Sequence, residues 1–194
     1  MLEKISKHVT RWLVNKGAIT ENDFEVYEYG VFQLVMNIVD ILTIIALAAY
    51  FNEFVAIVCF AISFTALRKY AGGYHSNTVL GCYFITIIAT LLTILQIKYV
   101  TIPFAVSLGI WAITGVTIVL MVPVSSKNKP LDEVEYIVYR KKALIIWFIE
   151  CVALFVLEIS GFEECFEGIL AGQCYVAIAL CIEMIIEENI RKGE

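Results

Sequence analysis

The chain has 194 residues and a net charge of −5; 60% of its residues are apolar, only 17% are charged, and its mean hydropathy is +0.83. Soluble domains lie nearer 45–50% apolar and about 25% charged. The composition therefore excludes an ordinary soluble domain, leaves no room for a separate one, and points to a single membrane domain without a nucleic-acid partner.

Residues 1–30 hold no uninterrupted apolar core and no small-residue cleavage site, so no secretory signal peptide is expected. Leu2, Ile5, Val9, Trp12 and Leu13 instead recur at helical spacing, with Lys4, Lys7, Arg11 and Lys16 between them. A basic amphipathic helix of this kind suits the headgroup layer, and equally suits packing on the rest of the protein.

Six apolar segments follow, at 31–51, 54–67, 79–97, 102–122, 143–160 and 168–186. Each is read as a membrane-spanning helix, giving an all-α polytopic bundle over 31–186 with a tail at 187–194. The second segment is short and only Asn52 and Glu53 precede it, so the first two form a tight helical hairpin or the second is partly re-entrant. With six spans, the N-terminal region, the 68–78 and 123–142 connections and the tail share one side. They hold four, two, five and two Lys or Arg residues, against Lys98 alone on the other side. The positive-inside rule then places both termini in the cytoplasm of a bacterial cell membrane.

Six cysteines invite a disulfide count, but five of them (Cys82, Cys59, Cys151, Cys174 and Cys181) fall inside the apolar runs, and Cys165 lies just before the last. No CxxC or Cys/His metal spacing occurs, so neither a disulfide framework nor a metal site is expected. The connection before the third span differs from the others. It reads Arg68-Lys-Tyr-Ala-Gly72-Gly73-Tyr-His75-Ser-Asn-Thr-Val-Leu-Gly-Cys82 and holds one of the chain's two histidines. Cys82 falls just inside the third helix, which Asn77 or Thr78 would cap. A thiol at a helix N-terminus beside an imidazole has the setting of a nucleophilic thiolate. On one straight helix, residues seven apart stand ~10 Å apart along the axis. A His75–Cys82 dyad therefore requires the chain to fold back, which Gly72 and Gly73 permit. A loop histidine and a buried thiol remain the other reading.

Arg-x-x-x-Gly-Gly-x-His-(x)6-Cys before a transmembrane helix resembles the signature of the accessory gene regulator protein B (AgrB) family, membrane peptidases that process a quorum-sensing pro-peptide. The basic amphipathic N-terminus, the length and the loop Asn128-Lys129-Pro130 followed by Arg140-Lys141-Lys142 are similar too. The resemblance implies Cys82 as nucleophile and His75 as base and then acid, releasing the C-terminal part of a small AgrD-like precursor peptide. The thioester left behind would close into a thiolactone or lactone ring. Arg68, Gly72, Gly73, Lys129, Arg140 and Lys141 are the candidate substrate-binding residues, although the positive-inside rule already accounts for the basic ones. The expected partners are that peptide, the lipid bilayer and a second copy in a homodimer; no cofactor is expected.

Asp40 and Glu150 lie near the middles of spans one and five, where a carboxylate costs ~2.5–3.5 kcal/mol on insertion scales, so each should face the bundle or a wet cavity. Gln33, Asn37 and Gln96 read as interhelical hydrogen bonders. His8 reads as an interfacial bystander. The competing function is a transporter or exporter of a small peptide without proteolytic activity, with Asp40 and Glu150 as coupling residues.

Overall fold

The computed structural model describes residues 2–74, 76, 78–125 and 131–193. The chain forms α1 (Leu2–Asn15), a short 3-10 turn (Glu21–Asp23), α2 (Phe24–Phe51), α3 (Phe54–Ala71), α4 (Val79–Tyr99), α5 (Phe104–Met121), α6 (Glu133–Ser160) and α7 (Glu163–Gly193). Among the described residues, α2 to α7 are the six helices long and apolar enough to cross a membrane, and the protein is a multi-pass membrane protein.

Helix ends follow local chemistry. Thr78 caps α4 by accepting the Gly81 N–H at 3.0 Å, as expected for a threonine there. Asp132 and Glu135 close a capping box on α6. Asn52 takes a left-handed conformation (φ 62°) and turns α2 directly into α3, so the hairpin forms. The 18 residues of α3 run unbroken, about 27 Å at 1.5 Å per residue, long enough to cross a membrane.

Several helices outrun their apolar segments. Arg68 and Lys69 belong to the last turn of α3, Arg140, Lys141 and Lys142 lie within α6, and α7 continues through residues 187–193. Long charged side chains are good helix formers and extend their heads toward the interface, so hydropathy alone stops too early.

α3 and α7 pack against each other along the middle of the bundle, with α2 and α4 on one flank and α5 and α6 on the other. Small residues make the central contact possible. A Cβ on Gly168 would stand 2.2 Å from the Ala56 carbonyl oxygen, and one on Gly172 would stand 2.6 Å from Ser63 Oγ. Gly168-x-x-x-Gly172 is thus a close-approach face of the kind lipid-embedded helices use in place of a hydrophobic driving force. Beside it, Glu150 of α6 is buried and accepts the Gln173 Nε2–H of α7 at 3.1 Å, an interhelical bond that meets the expectation for this carboxylate. Asp40 is half-buried, and its Oδ1 has no hydrogen-bond partner among the described residues.

At the end bearing both termini, Leu67, Ala71, Ile118, Val122, Ala143, Val176 and Leu180 form the largest apolar cluster. The outer surface is equally apolar: Ile38, Leu42, Ile113, Phe148 and Phe155 are all exposed, as lipid-facing residues must be. α1 lies along the start of α2, held by Lys7–Glu28 (3.9 Å) and Arg11–Glu21 (2.5 Å). It buries Ser6 and Thr10, leaves Ile5, Val9 and Trp12 of the apolar stripe exposed, and half-buries Leu13.

Candidate functional site

A cleft of about 800 Å³ opens where α2, α3, α4 and α6 meet the 72–78 connection. Its walls include Tyr29, Gln33 and Asn37 from α2, Arg68 and Lys69 from the end of α3, Cys82 from the first turn of α4, and Tyr139 from α6. Phe64, Val79 and Val124 supply apolar lining.

The connection that borders the cleft is fastened on three sides. Arg68 donates from Nη1 and Nη2 to the carbonyls of Gly72 and Tyr74, folding the chain back over its own helix end. The Tyr74 N–H donates to the Ala179 carbonyl of α7 at 2.9 Å, and the Val124 N–H donates to the Ala71 carbonyl at 2.9 Å. Glycine is required here on two counts. Gly72 and Gly73 have φ of 75° and 93°, and a Cβ on Gly72 would fall 2.1 Å from the Val124 carbonyl oxygen. Further on, Ser76 lies over the first turn of α4, where a Cβ on Gly81 would meet its Oγ at 2.1 Å. The chain therefore does fold back before Cys82. His75, Asn77 and Lys129 lie outside the described residues.

Cys82 is half-buried and is a free thiol. Its N–H donates to the Thr78 carbonyl at 3.1 Å, which sets it in the first turn of α4, where the positive end of the helix dipole lies. The Arg68 side chain lines the same cleft as this thiol.

Of the expected substrate-binding residues, Arg68 and Gly72 line the cleft with Cys82, while Gly73 is buried against Ala179. Arg140 lies apart: it donates to the carbonyls of Val122 (2.6 Å) and Val119 (3.3 Å), steadying the segment that Val124 uses to hold residue 71. Lys141 is exposed on α6 and does not line the cleft. Lys69 and Lys142 flank the Tyr70 ring at 5.4 and 5.1 Å, placing two cations at the cleft's edge. Among the described residues Gln33 and Asn37 bond to each other rather than between helices: Gln33 Nε2 donates to Asn37 Oδ1 at 3.2 Å within α2, and both side chains line the cleft. The signal for that wall was present in the sequence as polar residues at four-residue spacing, Tyr29-x3-Gln33-x3-Asn37.

The family model for accessory gene regulator B matches residues 6–185. The chain belongs to the accessory gene regulator B family. The resemblance read from the Arg68–Cys82 segment is thereby borne out. Among relatives of this AgrB chain, "Putative AgrB-like protein 2" of Clostridium perfringens is 27% identical over 178 residues, covering 84% of this chain and 82% of the relative. "Accessory gene regulator protein B" of Staphylococcus epidermidis is 24% identical over 194 residues, covering 100% and 98%. No solved structure matches the chain. AgrB family members act in accessory gene regulation, the quorum-sensing system their name denotes.

Proposed function

We propose that the protein is a membrane-embedded cysteine endopeptidase that removes the C-terminal part of a small AgrD-like precursor through an acyl-enzyme on Cys82. One observation carries this reading: a half-buried thiol at a helix N-terminus lines a cleft that also presents a guanidinium. The Cys82 thiolate attacks a peptide carbonyl carbon, and the negative charge on the carbonyl oxygen develops on the side of the cleft that Arg68 lines. The tetrahedral intermediate collapses with cleavage of the C–N bond, His75 donates a proton to the departing amine, and a thioester remains. A cysteine or serine of the precursor then attacks the thioester, closes the thiolactone or lactone and restores the thiol. For a cysteine, one thioester replaces another, so ring closure needs no ATP. The apolar lining from Phe64, Val79 and Val124 favours this step by keeping water from the intermediate. Lys69 and Lys142 suit an acidic segment of the precursor.

The test is substitution. Cys82→Ala should insert and fold normally, because one sulfur near an interface contributes little buried area, yet should cleave no precursor. Replacing the other five cysteines singly should leave cleavage largely intact. Normal cleavage by Cys82→Ala would overturn the assignment. An exporter has less support: neither of its candidate coupling residues, Asp40 and Glu150, lines the cleft, and Glu150 is bonded to Gln173.

We further infer that both termini and the cleft face the cytoplasm, from the uneven distribution of Lys and Arg. Reporter fusions after residues 75, 130 and 194 should report inside and a fusion after 164 outside; the reverse at 164 refutes the orientation.

A further inference from the structure

α1 has three faces of different chemistry, and only one of them is buried. At about 100° per residue, Ser6 and Thr10 fall on one face, Lys4, Lys7, His8 and Arg11 on a second, and Ile5, Val9 and Trp12 on a third. The hydroxyl face is the buried one, and α2 is the helix that α1 packs on. An amphipathic helix packed on its own protein ordinarily buries the apolar stripe. Here the small polar residues go in and the apolar ones stay out. The basic face borders a second cleft, of about 490 Å³, lined by Lys4, Lys7, His8, Arg11, Phe24 and Glu28. Lys7 lies 3.9 Å from Glu28, while Arg11 pairs with Glu21 and stands 4.5 Å from the centre of the Phe24 ring. Three cations therefore share the cleft wall with one carboxylate, and Lys4 has no ion-pair partner among the described residues.

The depth of this cleft decides what it meets. α2 enters its apolar segment at Val31, three residues beyond Glu28, or about 4.5 Å along the helix. A bilayer carries roughly 5–8 Å of headgroup layer on each side of its hydrocarbon core, so Lys7 and Glu28 fall within that layer. Trp12 suits the same depth, because tryptophan concentrates at membrane interfaces. We propose that the groove between α1 and α2 binds an anionic phospholipid, its phosphate among Lys4, Lys7 and Arg11 and its acyl chains against the apolar face of α1. A lipid fits better than a soluble anion because the cations and the apolar face are neighbours on one helix at headgroup depth. The groove shares no lining residue with the cleft that holds Cys82, and its occupancy does not depend on the role of that thiol.

The experiment titrates the full-length protein in detergent with phosphatidylglycerol and follows the bound lipid by native mass spectrometry. Phosphatidylcholine, whose choline offsets the phosphate charge, should bind clearly more weakly. Lys4→Gln removes a cation that holds nothing within the chain, so thermal stability should not change. It should nevertheless weaken phosphatidylglycerol binding about fivefold, the worth of one cation at an anionic surface. Lys16→Gln, exposed on the same helix but outside the groove, should match the parent. Ile5→Asn should also weaken binding, a loss that a site for soluble phosphate would not show. Inorganic phosphate at the same concentration as the lipid should not displace it. Equal affinity for the two lipids, or equal losses in Lys4→Gln and Lys16→Gln, would mean diffuse attraction and overturn the site. Parental binding in Ile5→Asn, or displacement by inorganic phosphate, would give the groove to a soluble anion and overturn the lipid assignment.

Discussion

α2 and α7 are both long apolar helices, yet 44% of the apolar stretch of α7 is buried inside the protein and only 11% of that of α2. The difference lies in what each helix offers its neighbours. α7 presents Gly168 and Gly172 to the backbone of α3, and adds Gln173 to Glu150 and the Ala179 carbonyl to the strap before α4. α2 presents Tyr29, Gln33 and Asn37 to an open cleft and large apolar side chains to lipid. In a bilayer, apolar area does not drive helices together, so close packing and polar contacts decide which helix becomes the centre. α7 serves as the frame for the site and α2 as one wall of it.

That division should show in mutants. The largest effect belongs at the α3–α7 contact. Gly172→Leu would drive a branched side chain into Ser63 and the Phe64 backbone, with no flexible neighbour to give way. Overpacking of this kind costs about 1–3 kcal/mol and occasionally more, and thermal unfolding in detergent should show a clear loss of stability together with loss of cleavage. Parental stability in Gly172→Leu would mean that α7 is not the frame. At the wall the effect should be smaller and of another kind. Gln33→Ala and Asn37→Ala should leave the melting curve within about 0.5 kcal/mol of the parent, as surface substitutions do. Each should raise KM for the precursor a few-fold, the loss of roughly one modest hydrogen bond, with little change in kcat. A lowered melting temperature with unchanged KM would make α2 a structural element.

The same contrast explains what could be read from the residues. The spans were legible because a membrane helix must be apolar along its length, whatever it packs against. Their ends were less so, since Arg68, Lys69 and residues 133–142 continue helices through charged sequence. The partnership of α3 with α7 was hidden from hydropathy, which treats lipid and protein neighbours alike; the sequence Gly168-Ile-Leu-Ala-Gly172 was the available clue. In the site, the seven-residue spacing of His75 and Cys82 carried the requirement for a folded-back chain, which Gly72 and Gly73 permit, and these two glycines take φ values of 75° and 93°. Arg140 could not be placed from sequence, because its partners are the carbonyls of Val119 and Val122, which any residue possesses.

The central claim is that Cys82 carries the precursor as a thioester, and it can be met directly by trapping that species. The protein is co-expressed with its precursor, quenched in acid and analysed by mass spectrometry before and after hydroxylamine, which cleaves thioesters at neutral pH. An adduct of the precursor's N-terminal part on the peptide containing Cys82, lost on hydroxylamine treatment and absent from Cys82→Ala, is the expected result. Efficient cleavage with no adduct at Cys82, or an adduct that persists in Cys82→Ala, would contradict it.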